Sequence, residues 1–474
     1  MVRWGCRVYL ILAGVTSPAA QAWPVVYHIT QIGGSGVIAH AINNAGQVTG
    51  SMTTPSGTHA FLFDAGVLTD LGSIAGYDAA GLAINDAGQI VGDLAPQQGQ
   101  GSLGFLYSHG AMTVLPTLDA GTAHCCYGTA YAINNSAQVA GTSSTADGSS
   151  IVAVIYSGGA PQTLPISPAS YVTSLNDYGR ATGYDAATQS PFVYSGGQVI
   201  HPFPLDSDCS SGDAINNAGQ VAGSCAPIGD PLVFVYSQGV SQQLPRPDGN
   251  EHYVQATGMN NAGQITVRGV SGGSCCSAWL YSDSQSIALI SLIDPTDPLY
   301  FSVNYFDRVV DTIALNDAGW ILVTIHYPTR TSYLLTPETP YPSTVKLTAF
   351  PSSVAVGAPF QLAWTDQNVN TCSASGGSNG DGWGGSVPIH GGQQQLTETS
   401  AGNHQFTITC AGASGPVTST AAVTVNGVPP PVSPMSSGGG GSEDPWLLLG
   451  LSSVLLIRRG RCSHASRKTG AERA

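Results

Sequence analysis

The ten residues AINNAGQVTG at 41–50 decide how most of the chain is organised, because this segment returns six more times. The later copies are AINDAGQIVG at 83–92, AINNSAQVAG at 132–141, SLNDYGRATG at 174–183, AINNAGQVAG at 214–223, GMNNAGQITV at 258–267 and ALNDAGWILV at 314–323. The first asparagines of the copies are Asn43, Asn85, Asn134, Asn176, Asn216, Asn260 and Asn316. A repeat with a period of roughly 45 residues is typical of a propeller or a solenoid.

Each copy predicts a β-hairpin. Two or three strand-forming residues lead into Asn-Asn or Asn-Asp, a small residue and usually Gly, and a second short strand follows. Asn, Asp and Gly tolerate the left-handed backbone of tight turns. Only the third copy replaces the Gly, with Ala137. We interpret these positions as turn residues rather than as ligands.

A third and a fourth strand are predicted in each repeat. The third carries large residues two apart, as in FLF at 61–63 and FLY at 105–107. Such alternation is typical of a half-buried strand. The fourth has a short apolar signature, as in VLTDLG at 67–72. Four strands per repeat correspond to one propeller blade.

The start of the body favours closure of the repeats into a ring. Ile29–Gly33 is similar to the fourth-strand piece Leu68–Gly72, whereas the seventh copy has no clear fourth strand. An N-terminal strand that completes the last blade would remove two exposed sheet edges. The sequence therefore predicts an all-β protein with a seven-bladed β-propeller over 23–343. An open solenoid is the alternative.

The repeat resembles a known family. AINNAGQVTG, followed by HAFLF at 59–63, is similar to the HAF-type extracellular repeat of bacterial secreted proteins. The resemblance covers the whole repeat region. It implies export and a β fold built from repeats, and it implies no particular reaction.

Residues 344–427 lack the repeat and predict a second β domain. Short alternating strands, as in HQFTITCAG and AAVTVNG, indicate a sandwich. Their order resembles bacterial immunoglobulin-like domains. Cys372 and Cys410 fall on two of these strands, so we predict a disulfide across the domain.

The N-terminal segment, 1–22, predicts a secretory signal peptide. A basic stretch with Arg3 and Arg7 precedes a short apolar run, and an A-x-A site ends at Ala22, just before Trp23. Cleavage is expected between Ala22 and Trp23. The alternative is a buried N-terminal strand.

The C-terminal end predicts a sorting signal. A Pro/Gly/Ser linker at 428–442 precedes a segment, 443–474, in which the apolar run Pro445–Ile457 is followed by three arginines. The run is short for an ordinary membrane helix, which needs about 20 residues. The layout resembles the Gly-Gly-type sorting signal of Gram-negative bacteria. That resemblance implies transient anchoring as a helix in the inner membrane, removal by a protease, and delivery to the surface or medium. A permanent anchor is the alternative.

Charge excludes one class of partner. Only 9% of the residues are charged, and between residues 23 and 442 six cations stand against 25 acids, a net charge of −19. Such a body repels phosphate backbones, so nucleic-acid binding is not expected.

Eight cysteines lie between the two end segments, an even number that indicates disulfides in an exported chain. Cys209 and Cys225 are equidistant from the turn at 216–219, so they should face each other across a hairpin. Two vicinal pairs, Cys125–Cys126 and Cys275–Cys276, are expected either to form vicinal disulfides or to bond elsewhere.

No catalytic or cofactor motif stands out. Gly-x-Ser-x-Gly occurs at 269–273 and 376–380, but neither copy lies between a strand and a helix, as a nucleophile elbow requires. The spacing of the cysteines does not suit a zinc site. We predict no catalytic residue, no metal and no cofactor.

One segment is a candidate for ligand binding. The longest interval between repeats contains SLIDPTDPLYFSVNYFDRVVD at 291–311. Loops that interrupt a repeat are natural binding sites, and acids beside aromatics suit a sugar. The candidate residues are Asp294, Asp297, Tyr300, Tyr305, Asp307 and Arg308. The alternative is a segment that packs its own aromatic side chains.

Together these features predict an exported surface or secreted protein with a non-catalytic binding, adhesion or envelope role. Its partner would be an extracellular glycan or a protein. The alternative is a propeller hydrolase or lyase that acts on extracellular polysaccharide, which would need acids clustered at one end of the central channel.

Overall fold

The computed structural model describes residues 26–427 apart from short gaps. The gaps are residues 100, 119–126, 204–207, 227–231, 247–250, 272–275, 283–284, 301–309, 327–328, 339–341, 379 and 413–414. The predicted signal peptide, linker and sorting segment therefore lie outside the described residues. All described residues belong to one compact unit that ends at Val428. Within them, no helix is long and apolar enough to cross a membrane.

The repeats fold into four-stranded antiparallel sheets, seven of them in the described part of the chain. The first three sheets comprise β2 to β5 (Val37–Ile42, Val48–Thr54, Gly57–Asp64, Val67–Gly72), β6 to β9 (Tyr77–Ile84, Ile90–Pro96, Leu103–Ser108, Ala111–Val114) and β10 to β13 (Gly128–Ile133, Val139–Ser144, Ile151–Ser157, Ala160–Thr163). The next three comprise β14 to β17 (Tyr171–Leu175, Ala181–Asp185, Ser190–Ser195, Gln198–Ile200), β18 to β21 (Asp208–Ile215, Val221–Ala226, Leu232–Ser237, Val240–Gln243) and β22 to β25 (Glu251–Met259, Ile265–Ser271, Cys276–Ser282, Gln285–Ala288). A 3-10 helix, Leu289–Leu292, follows the sixth sheet.

The seventh sheet joins the two ends of the repeat region. Its strands β26 to β28 (Val310–Leu315, Ile321–Ile325, Thr331–Pro337) come from the last repeat, and β1 (Tyr27–Ile32) pairs antiparallel with β28. The prediction that the N-terminal strand completes the last sheet is confirmed. The large residues of the third strands form the core between the sheets, as their alternation predicts. Examples are Phe61, Phe105 and Phe192, which are fully buried.

The turn of each copy has the predicted backbone. The turn glycines have positive φ, for example 74° at Gly88, and Ala137 adopts the same left-handed conformation at 57°. A β-carbon is unfavourable there. The third copy keeps the hydrogen bonds of the turn, so Ala137 is held in a locally strained left-handed conformation.

Replacing Ala137 with glycine is expected to stabilise the protein by about 1 kcal/mol, because it removes the left-handed strain. The change should appear as a higher midpoint in thermal or urea unfolding. Gly88→Ala is the matched control, since its added β-carbon meets only the flexible Gln47 side chain, at 3.4 Å. It should shift the midpoint downward. Equal midpoints for both variants and the parent would contradict this account.

Residues 344–427 form two sheets around a common core. One sheet has the order β29-β31-β34 (Thr344–Phe350, Pro359–Gln367, Gly392–Thr397). The other has the order β30-β36-β35-β32-β33 (Ser353–Ala355, Gly415–Asn426, Gly402–Gly412, Val369–Gly376, Gly385–Val387). Trp364 of the first sheet and Phe406 of the second share one buried cluster. This region is a β-sandwich.

The disulfide Cys372–Cys410 is present, as predicted. It joins β32 and β35, which are neighbours in one sheet, rather than crossing the domain between sheets. The reason is the register, which places the two cysteines directly opposite each other.

Candidate functional site

The first asparagine of every copy links one repeat to the next. These inner asparagines are Asn43, Asn85, Asn134, Asn176, Asn216, Asn260 and Asn316. Each donates a side-chain hydrogen bond to the backbone carbonyl of the next, and Asn316 donates back to Asn43 at 3.0 Å. The turns therefore form a closed circle, and all seven side chains are at most 4% exposed. The sequence-based interpretation of these asparagines as turn residues misses their hydrogen bonds to the next repeat.

Asn134→Asp is expected to destabilise the protein by about 2 kcal/mol, since a buried group would lose its partners. The Asn134 amide donates to Gln138 Oε1 at 2.8 Å and to the Asn176 carbonyl at 2.9 Å. A carboxylate would face two acceptor oxygens. Burial would raise its pKa, so the loss should grow as the pH rises above about 4. Urea unfolding at two pH values measures this, with the exposed Asn403→Asp as the control. A pH-independent loss would contradict the argument.

A second circle lies beside the first. These mouth residues are Asn44, Asp86, Asn135, Asp177, Asn217, Asn261 and Asp317. The backbone N–H of each donates to a side-chain oxygen of the next, and Asp317 donates to Asn44 at 2.9 Å. Together the two circles line a cavity of about 210 Å³. Three carboxylates, those of Asp86, Asp177 and Asp317, therefore lie at this end of the ring, but each accepts a hydrogen bond within the circle.

The inner strands carry a bulge just before the turn. In the first six sheets the irregularity falls on the third residue before the inner asparagine, and in the seventh it falls on Asp311. The six bulge residues are His40, Leu82, Tyr131, Thr173, Asp213 and Thr257. Bulges re-aim side chains and are frequent beside functional sites. The chemistry of these positions varies, whereas the flanking residues stay small.

Three neighbouring bulges contribute to a cleft. It is lined by Leu82, Tyr131, Tyr171, Val172 and Thr173, and its volume is about 450 Å³. The two tyrosines are 40% and 37% exposed. Leu82, Tyr131 and Thr173 belong to β6, β10 and β14, whose contacts make them adjacent inner strands. An apolar cleft with two half-exposed aromatic rings is suited to stacking on a ligand.

The next bulge residue adds a titratable group near the cleft. Ser211 and Ser224 both donate to the carboxylate of Asp213. Burial raises the pKa of Asp213 to about 6, although these hydrogen bonds and the charge of Arg268 oppose the shift. Asp213 also acts on Tyr171, whose pKa is raised first by burial and then by this carboxylate. The carboxyl therefore changes charge near neutral pH.

The bulge residue of the first sheet, His40, is another titratable group, and it lies in the repeat next to that of Leu82. Burial and the charge of Arg330 lower the pKa of its imidazole. The side chain is therefore neutral at pH 7, since an unperturbed histidine titrates near 6.5. Sequence reasoning missed the bulge residues. The signal was present as one variable position directly before the repeated segment.

The predicted ligand segment is described only in part. Asp294 Oδ1 accepts from the backbone and hydroxyl of Thr296, and Asp297 accepts from the backbone of Ile29 at 3.3 Å. Tyr300 packs against a buried core cluster. These residues do not line the cleft. Tyr305, Asp307 and Arg308 lie outside the described residues, so a binding role for the segment stays a prediction.

The structure describes only some of the remaining cysteines. Cys209 and Cys225 face each other in the register of β18 and β19, and Cys225 is disulfide-bonded. The side chain of Cys209 lies outside the described part, so this pairing stays a prediction. The Cys125–Cys126 pair lies outside it as well. Of the Cys275–Cys276 pair, only the backbone of Cys276 is described.

The second Gly-x-Ser-x-Gly segment places a serine beside a histidine. Ser378 Oγ lies 3.2 Å from His404 Nδ1, and Glu398 Oε1 lies 3.4 Å from the same nitrogen. His404 Nε2 lies 2.9 Å from the Ser400 carbonyl. A serine-hydrolase relay needs the serine and the acid on different ring nitrogens. This arrangement therefore does not match one.

Comparisons with known proteins identify no family. No family model and no curated protein matches the chain. Among solved structures, YCF48 bound to a D1 peptide is similar, with 10% identity and a TM-score of 0.40 over 68% of this chain and 99% of that one. TolB from Acinetobacter baumannii has 10% identity and a TM-score of 0.36 over 66% and 97%. An extracellular domain from B. thetaiotaomicron, of the putative one component system BT4673, has 10% identity and a TM-score of 0.28 over 83% and 68%. The described part of the chain is all-β, and its repeats form four-stranded antiparallel sheets.

Proposed function

We propose that this protein is an exported, non-catalytic binding protein, built from a seven-bladed β-propeller and an immunoglobulin-like sandwich. The ligand binds in the cleft of Leu82, Tyr131, Tyr171, Val172 and Thr173. The observation that carries the proposal is the presence of two half-exposed tyrosines in one apolar cleft. The two closed circles of hydrogen bonds support the blade count, since each circle has one member from each of the seven repeats.

The chemistry of the cleft favours a neutral glycan. Aromatic rings stack on the apolar face of a sugar, while the Thr173 hydroxyl and nearby Asp213 can bond its hydroxyl groups. The strongly acidic body disfavours polyanions. A protein ligand would have to present an apolar side chain of similar size.

A glycan array tests this function directly. The purified protein is applied to neutral and acidic glycans, and the release of reducing ends is assayed on the same glycans. Binding to neutral glycans without release is the expected result. Absence of binding to every glycan would leave a protein ligand or a structural role, and would contradict the proposal.

One observation favours a hydrolase as the second candidate. A carboxyl group with a pKa of about 6 could act as a general acid, as glycoside hydrolysis requires. Among the described residues the cleft lining contains no carboxylate, so Asp213 would have to act from beside the cleft and without a second acid there. Release of reducing ends that Asp213→Asn abolishes would establish this candidate in place of the binding protein.

The ends of the chain support export. We infer that residues 1–22 are removed before Trp23, and that the segment 443–474 directs sorting to the surface or medium. N-terminal sequencing and intact mass of the secreted protein test both cleavages. A mature chain that begins at Met1, or one that retains Arg473, would contradict the respective inference.

A further inference from the structure

The mouth residues alternate between amide and carboxylate around most of the circle. Asn135 donates to both of its neighbours, Asp86 at 2.9 Å and Asp177 at 3.2 Å. A circle with an odd number of members cannot alternate completely. The mismatch falls between Asn217 and Asn261, two amides with no carboxylate between them.

A loop of the sandwich lies on this mismatch. The loop, Pro388–Gly391, connects β33 and β34, and we call it the plug loop. Asn217 donates its free amide hydrogen to the His390 carbonyl at 2.9 Å. A β-carbon built on Gly391 would lie 3.6 Å from the β-carbons of both Asn217 and Asn261. The loop therefore supplies the acceptor that the circle lacks.

The imidazole of the plug loop extends the contact to a carboxylate. His390 Nδ1 lies 3.0 Å from Asp317 Oδ2, the neighbour of Asn261 in the circle. The His390 side chain is 35% exposed, while that of Asp317 is 9% exposed. A histidine that donates to a carboxylate at this distance holds its proton more firmly.

The sandwich holds the loop in a strained conformation. His390 has a φ of 69°, in the left-handed region. Asp366 on β31 accepts from the backbone of His390 at 3.0 Å and of Gly391 at 2.8 Å. Strain of this kind persists only where surrounding contacts fix it, and it is concentrated at functional sites. Nearby, Gln367 donates to Gln264 at 3.1 Å, a further contact between the sandwich and the turns.

We propose that the plug loop is a proton-dependent closure of this end of the ring, which fastens the sandwich to the mouth residues when His390 is protonated. Loss of the proton removes the ionic contact with Asp317 and leaves the strained backbone with fewer restraints. The loop then separates from the mouth more often. The inference concerns the turns and the plug loop, which share no residue with the cleft, and it does not depend on the proposed ligand.

The carboxylates around the His390 imidazole all favour its protonated form. The pKa of His390 is raised, first by its hydrogen bond with Asp317 and then by the charges of Asp317, Asp366 and Asp86, while burial opposes the shift. Burial also raises the pKa of Asp366. Asp177 bonds to Asn217 on the same face. Arg180 is a cation on the neighbouring turns, and its Nη1 would lie 2.8 Å from a β-carbon built on Gly219.

The direction of the pH effect follows from this shift. A raised pKa in the closed state means that closure is most stable below the ordinary histidine value of about 6.5. The stabilisation is lost as the pH rises through the pKa of the closed state. Protonation of Asp366 limits the closed window on the acidic side.

Hydrogen exchange of the full-length protein tests the proposal. Protection factors, corrected for the intrinsic effect of pH, are measured for peptides that cover 388–393 and the turns at 217 and 261. Protection is expected to fall severalfold between pH 6 and pH 9. His390→Gln should show low protection and no pH response, and Asp317→Asn should move the response to lower pH.

The matched control is His201→Gln. His201 forms a similar pair with Asp185 at 3.0 Å on another part of the ring. This variant should leave the pH response at 388–393 unchanged. Constant protection in the unmodified protein, a retained response in His390→Gln, or an equal loss in His201→Gln would each overturn the proposal.

Discussion

Gly141→Ala is expected to destabilise the protein by about 3 kcal/mol or more, because the added methyl group would collide with the backbone. An added β-carbon would lie 2.0 Å from the Thr129 carbonyl oxygen and 3.0 Å from the Ala130 α-carbon. Both obstacles are backbone atoms of β10, so no side-chain rotation relieves them. The strand would have to give up its bulge or its pairing.

The same conflict occurs in three other sheets. A β-carbon at the equivalent Gly50, Gly92 or Gly183 would lie 1.9 to 2.0 Å from a carbonyl oxygen of the inner strand. In these four sheets that carbonyl leaves no room for a β-carbon, which agrees with the glycine at the end of the segment. The bulge alone does not require the glycine, since the sixth sheet has its bulge at Thr257 and carries Val267 at this position.

Thermal and urea unfolding measure the effect of Gly141→Ala. Gly34→Ala is the control, because a β-carbon there meets nothing within 4 Å and its φ lies outside the left-handed region. The free energy of unfolding of this control should stay within about 0.5 kcal/mol of that of the parent. If Gly141→Ala unfolded at the same midpoint as Gly34→Ala, the bulge would be readily deformable and could not position the cleft.

The fold was predictable to the extent that local chemistry specifies it. Turn residues and strand alternation predict four strands per repeat, and the likeness of Ile29–Gly33 to Leu68–Gly72 predicts the pairing of β1 with β28. The first signal is local because the strands of one repeat pair with their neighbours in sequence, whereas the pairing of β1 with β28 rests on the similarity of two distant segments. The Cys372–Cys410 bond was predicted, but its place within one sheet depends on a register that spacing alone does not determine.

The candidate site was much less predictable. Asn134 resembles any turn asparagine in sequence, yet its amide bonds to the carbonyl of Asn176 in the next repeat. The odd-membered circle and its contact with His390 join segments that are far apart in the chain. Such relations depend on how the repeats close in space. A bulge, in turn, is a shift of pairing by one residue, which a hydrophobic pattern does not reveal.

The largest effect on binding is expected from the double variant Tyr131→Ala, Tyr171→Ala, which should weaken glycan binding about a hundredfold. The rings of Tyr131 and Tyr171 are half-exposed, and both line the same cleft. Loss of an aromatic anchor costs about 1 to 2 kcal/mol, and every 1.4 kcal/mol is a tenfold change in affinity. Each single variant should therefore weaken binding by about tenfold, as measured by calorimetry with a glycan that the array identifies.

Two controls separate stacking from a general loss of structure. Tyr127→Ala removes a tyrosine that is 36% exposed and does not line the cleft, so its affinity should equal that of the parent. Tyr131→Phe keeps the ring and should retain most of the affinity, because stacking depends on the aromatic face. If the double variant bound as tightly as Tyr127→Ala while remaining folded, the ligand would not occupy this cleft. The segment at 291–311 would then be the next to mutate, since it combines acids with aromatics in the longest interval between repeats.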